Sequence, residues 1–236
     1  MPAFPGFPVD GMTFLKQLKK NNNRDWFQPR KETFDEKVKA PMVDFVQALN
    51  AWLSEVAPDF VTDPQKAIYR IYRDTRFSKD KTPYKTHIAA SFSHQRLGKH
   101  TSTGYYMGVS PEGVEVAGGI YMPEPEQILT IRNLLAESYS EFGRITGGKQ
   151  FRVLMGELHG EQLTRIPKGF PADHPAEGLL RRKQWYWYMT LDQSLATSPK
   201  LFGEIRKRFQ ILLPAVEFFN APLVAQRKKE AARAMM

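Results

Sequence analysis

The chain has 236 residues, enough to bury a sizeable core, and its 42% hydrophobic, 12% aromatic and 25% charged residues describe a folded protein rather than a disordered one. It has no Cys, which excludes disulfides, thiolate metal sites and a cysteine nucleophile, and its formal net charge is +9. No apolar run approaches the ~18 residues of a membrane span. The start, MPAFPGFPVDGM, lacks the basic and apolar regions of a signal peptide. A cytoplasmic protein of bacterial type, away from membranes, is expected.

In chain order, Phe14, Leu15 and Leu18 mark a helix from Met12 to Lys19, ended by the polar run Asn21 to Asn23. A long apolar face follows at Phe34, Val38, Met42, Phe45, Val46, Leu49, Trp52, Leu53 and Val56. Pro41 inside it predicts a kink or a fresh helix start. The periodicity then falls to two, and Ile68 to Arg73 and His87 to Phe92 read as strands around a polar connection. Tyr105 to Val109 and Val114 to Ala117 form a hairpin through the turn Ser110, Pro111, Glu112, Gly113. Gly118 and Gly119 suggest a bulge or a close backbone approach.

Ile128, Leu129, Ile131, Leu134 and Leu135 predict a helix with Glu124 and Glu126 at its start, where the dipole favours acids. Gly147 and Gly148 break the chain, and Arg165 to Pro175 reads as a surface loop before a short helix, Glu177 to Lys183. Trp185 to Leu191, WYWYMTL, reads as a strand buried on both faces. A last helix begins near Ser198, with an interruption expected at Pro214. These elements predict an α+β fold, a mainly antiparallel sheet covered by N- and C-terminal helices, in a single domain over 1–225. The basic tail, 226–236, is expected to fray.

Three pieces of the chain form a recognisable set. The first is Phe14-Leu15 with Asn22-Asn23-Arg24-Asp25-Trp26-Phe27. The second is Tyr72-Arg73-Asp74-Thr75-Arg76-Phe77-Ser78-Lys79-Asp80-Lys81-Thr82-Pro83-Tyr84-Lys85, and the third is Gly104-Tyr105-Tyr106 with Gly118-Gly119-Ile120-Tyr121. In order and spacing the set resembles the DUF2461 family of bacterial and fungal proteins, over roughly Phe14 to Phe219. The resemblance implies a single cytosolic domain and brings no reaction, cofactor or catalytic residue with it.

Function therefore has to be argued from the residues. Ala67 to Phe92 holds six Lys or Arg against two Asp, close to half of the chain's net charge. Two unit charges ~4 Å apart interact by about 1 kcal/mol in water and by several times that at an effective dielectric near 20. A partly buried basic cluster thus needs an anion or paired carboxylates. If Ile68 to Arg73 is a strand, Arg70 and Tyr72 share a face. Arg73 and Arg76 lie where the chain leaves it. Arginine forks fix a phosphate or carboxylate, Lys79, Lys81 and Lys85 attract it, and Tyr84 offers a stacking face or a donor. The opposing reading pairs the same cations with Asp74, Asp80 and carboxylates such as Glu32, Asp35 or Glu36. Asp74, flanked by two arginines, is the acid of most interest.

Asn23, Arg24 and Trp26 form a secondary candidate site, although helix capping and a core anchor explain the same letters and are preferred. WYWY at Trp185 to Tyr188 reads either as a stacking platform or, preferably, as core. The histidines at 87, 94, 100, 159 and 174 lack zinc spacing, and neither a nucleophile elbow nor a phosphate loop occurs. No metal and no cofactor is expected. The leading functional expectation is an anion-binding surface for a phosphorylated or carboxylated small molecule, or for nucleic acid. The alternatives are an enzyme acting on a small acidic metabolite, and a structural or interaction protein whose basic cluster is an internal ion-pair network.

Overall fold

A computed structural model describes residues 4–97 and 102–234; His100 and the last two residues of the tail lie outside them. The first helix, Val9–Lys20, ends at Asn21, and Asn23 then caps the turn Arg24–Phe27 by accepting the Trp26 N–H at 2.9 Å. Pro41 has no N–H to offer the carbonyl of Lys37, and the helix widens there into a π segment, Asp35–Lys39, before Ala40–Val56 continues as α. The first helix crosses beside this point. A Cβ on Gly11 would stand 2.2 Å from the Lys37 oxygen, so only glycine fits.

Among the described residues, five strands form one antiparallel sheet in the order β1-β2-β3-β5-β4. They are β1 Ile88–Ser93, β2 Gly104–Ser110, β3 Gly113–Ile120, β4 Leu158–His159 and β5 Trp185–Leu191. The hairpin of β2 and β3 matches the sequence reading. Ile68 to Arg73 does not form the predicted strand: it makes isolated bridges, Ile68 to Ala90 and Tyr72 to Tyr84. The segment meets β1 for one residue and then curls onto its own return at Pro83 to Lys85, where Arg73 N–H and Lys85 N–H donate to Pro83 and Ile71 carbonyls.

The C-terminal helix, Leu201–Ala234, covers one face of the sheet. Phe209 stacks on Tyr105 at 4.5 Å and meets Phe92 edge-on, while Leu212 lies so close to Gly118 that a Cβ there would be 2.7 Å from its methyl. The helix runs through Pro214 and Pro222 instead of breaking at Pro214. Leu212, Ala215, Val216 and Phe219 are buried on both sides of that proline, and their packing holds the helix where a backbone bond is missing. Gln226 to Ala234, expected to fray, continue the same helix.

β5 is likewise not buried on both faces. Trp185 and Trp187 enter the core, where Phe142, Phe151 and Phe219 surround them, and Tyr186 and Tyr188 project from the opposite side.

Candidate functional site

The strand register assembles three rows on the face of the sheet away from the C-terminal helix. Ser91, Tyr106, Ala117 and Tyr188 are paired in succession, as are Ala89, Gly108, Glu115 and Thr190, and then Ser93, Gly104, Gly119, Tyr186 and His159. Small residues in the middle strands leave a depression that bulky residues on the flanks turn into a walled hollow. Its volume is about 480 Å³, and Tyr69, Tyr121 and Met122 complete the rim. That is the size of a small-molecule site.

Glu115 lines it from β3. Tyr106 donates its hydroxyl to Glu115 Oε2 at 2.9 Å, and Tyr188 donates to Oε1 at 2.8 Å, so each carboxylate oxygen holds one phenol. Both phenols are shifted to higher pKa, by burial first and then by the carboxylate they face, and they stay protonated donors at neutral pH. Gly108 makes the arrangement possible, since a Cβ there would lie 2.9 Å from both Glu115 Oε2 and the Tyr106 hydroxyl. Tyr186 meets Tyr121 edge-on at 5.1 Å, and His159 stacks on Tyr186 at 5.7 Å.

Two further groups face the same space. The Ser91 and Ser102 hydroxyls line the hollow, both residues are more than nine-tenths buried, and neither oxygen has a hydrogen-bond partner among the described residues. A buried hydroxyl without a partner costs on the order of 1–3 kcal/mol, which a bound molecule would recover. The sequence offered a partial signal. Glu115 is a lone acid between Val114 and Val116, and the tyrosines of WYWY alternate with tryptophans, but only the register brings them together.

The basic residues singled out from the sequence lie beside this hollow and farther out. Arg73 Nη1 binds Asp80 at 2.5 Å and also the Thr82 hydroxyl. Arg76 forks onto Asp74 at 3.0 and 2.7 Å. The Asp74 carboxyl is held at a pKa of about 2 by its bonds to Arg76, and the Asp80 carboxyl at about 2 by the Thr82 N–H and then by Arg73. Lys81 donates to the Thr75 carbonyl, while Arg70 and Lys79 are exposed.

Tyr84 is a correction. It is 1% exposed and stacked on Phe27 at 4.1 Å, so its ring belongs to the core and cannot receive a ligand from solvent. Lys85 leaves the basic loop to lie 5.1 Å from the ring centre of Tyr69 on the hollow's rim. Of the secondary candidates, Asn23 is the helix cap described above, and Arg24 is exposed. Trp26 packs on Phe14 at 5.4 Å and under Arg30.

A second, smaller cavity of about 270 Å³ lies just past the end of β1, lined by Asp59, His94, Glu217 and Asn220 among others. Burial lowers the His94 pKa and raises that of Glu217. Asn220 is fully engaged. Its side chain bonds both the N–H and the carbonyl of Thr103.

Among the described residues no group of three or more His, Asp or Glu gathers as a metal would need, and no helix is long and apolar enough to cross a membrane. The family model described as "Conserved hypothetical protein (DUF2461)" matches residues 10–218. Neither a curated protein nor a solved structure matches the chain.

Proposed function

Since the chain belongs to the DUF2461 family, a membership that carries no reaction with it, we propose from the geometry alone that it is a small-molecule-binding protein whose site is the tyrosine-walled hollow on the open face of the sheet. The observation that supports this most is the union of a doubly held carboxylate, Glu115, with two unpartnered buried hydroxyls, Ser91 and Ser102, around one cavity. A surface built only for solubility has no reason to bury such groups. Ligand-observed NMR of a mixed fragment library should give binders that are lost in Ala117→Phe, where a ring would fill the space between Tyr106 and Tyr188. Binders that persist unchanged in a folded Ala117→Phe protein would refute the assignment.

A second reading concerns the loop itself. Phe77 is 96% exposed at its tip, with the Arg76 guanidinium 5.8 Å from its ring, and Arg70, Lys79 and Lys81 are exposed along the same segment. An aromatic face among cations suits a phosphorylated or carboxylated ligand, nucleic acid included. Binding of a single-stranded oligonucleotide should then weaken steeply with added salt, and in Phe77→Ala at fixed salt. Affinity indifferent to both would exclude it.

A further inference from the structure

The charge lining the hollow runs against that of the whole protein. Although the chain carries a formal +9, no Lys or Arg stands among the described residues that line this cavity, and Glu115 is the one Asp or Glu among them. The phenols of Tyr106 and Tyr188 already donate to Glu115. What they present to an incoming molecule is oxygen lone pairs and ring faces. Tyr69, Tyr121 and Tyr186 add three more aromatic rings to the walls.

We propose that the ligand of this hollow is an organic cation, an ammonium or a methylated ammonium, seated among the tyrosine faces and balanced by Glu115. The inference rests on the reading of the hollow as a ligand site. Ring faces carry negative electrostatic potential and attract cations, most strongly where water is excluded. An anion placed here would meet the Glu115 carboxylate with no Lys or Arg among the described lining residues to offset it, and Lys85, at the edge, lies over the ring of Tyr69. His87, which feels Glu115, does not supply one at neutral pH, because burial lowers its pKa. The molecule contains its own precedent: the Lys85 ammonium already lies over the ring of Tyr69 at the edge of the same cavity. Ser91 and Ser102 then receive a hydroxyl or carbonyl elsewhere on the ligand.

The test uses the full chain and a matched pair of probes, choline and its uncharged isostere 3,3-dimethylbutan-1-ol, with acetate as the anionic control, followed by saturation-transfer NMR and calorimetry. Choline should bind at least about fivefold tighter than the neutral alcohol, and acetate should not bind in the hollow. In Glu115→Gln, which keeps the shape and a hydrogen-bonding oxygen, that preference should vanish. Equal binding of the two isosteres, an undiminished preference in Glu115→Gln, or preferential capture of acetate in the hollow would each overturn the cation assignment while leaving the cavity a ligand site. If choline and the alcohol both fail to bind, the cation assignment falls. The fragment screen against Ala117→Phe then decides separately whether the hollow binds anything.

Discussion

Tyr188 reaches Glu115 diagonally across two strands: Glu115 is paired with Thr190 and Tyr188 with Ala117, and the 2.8 Å bond between phenol and carboxylate spans that offset. The contact exists because neighbouring positions are small. Gly108 leaves room for the carboxylate and for the Tyr106 ring, and Gly119, at φ +124°, lets β3 approach β5 where a Cβ would stand 2.3 Å from the Trp185 carbonyl.

These two glycines should respond differently to the same change. At Gly108 an added methyl meets the far ends of two side chains, which can swing aside, so Gly108→Ala should leave stability within about 1 kcal/mol while displacing Tyr106 from Glu115. At Gly119 the methyl meets backbone in a left-handed conformation, and Gly119→Ala should cost about 3 kcal/mol. Urea unfolding of both variants, with fragment binding measured on Gly108→Ala, checks the contrast. Loss of stability at Gly108 with binding intact would contradict it.

Asn220 holds the start of β2 to the C-terminal helix through both backbone groups of Thr103, at 3.0 and 2.9 Å, and is 2% exposed. Asn220→Ala leaves a buried N–H and a buried carbonyl unpaired and should destabilise by about 3 kcal/mol. Chemical denaturation reads this directly. A loss under about 1 kcal/mol would mean that water replaces the amide.

Two imidazoles make stability depend on mild acid. His87 and His94 both have pKa values lowered from 6.5, chiefly by burial. Glu115, Glu112 and Asp59 pull the other way, while Lys85 and Arg96 reinforce the shift. The unfolded chain therefore takes up protons first. Their contribution is fully present above pH 6.5 and is lost as pH falls below it. NMR titration of the two rings should give midpoints below 6.5, and His87→Gln with His94→Gln should flatten the melting temperature between neutral and mildly acidic pH. Midpoints at or above 6.5 would reverse the sign.

The loop carboxylates resist acid. With Asp74 and Asp80 at about 2, whatever their pairs contribute is present above the ordinary aspartate value and lost only as pH falls toward 2. Carboxyl NMR should find both midpoints near 2, and Arg76→Gln should move Asp74 back toward 3.8 while leaving Asp80 where it is. A Asp74 midpoint unmoved by that substitution would show that Arg76 is not its partner in solution.

The fold was largely legible because its strongest patterns are local. The apolar face from Phe34 to Val56 and the hairpin through Ser110 to Gly113 each declare themselves within one window. Ile68 to Arg73 misled because alternation records which residues are buried, not whether a neighbouring strand offers a ladder: Ile71 is buried without one. The basic loop was legible as a charge concentration, but the partners of Arg73 and Arg76 are the loop's own acids, Asp80 and Asp74, which the letters alone left undecided. The hollow was not legible. Its residues come from β1, β2, β3, β4 and β5, and a one-residue change of register would send Glu115 to the other face. Gly118 and Gly119, as marks of close approach, and the lone Glu115 between two valines were traces of it.

The most direct test is a crystal structure of the protein soaked with a cocktail of small polar fragments. The expected density is a fragment in the hollow, against Tyr106 and Tyr188 and within hydrogen-bond reach of the Ser91 hydroxyl. Fragments bound only elsewhere, with the hollow reached by solvent and still empty, would contradict the account.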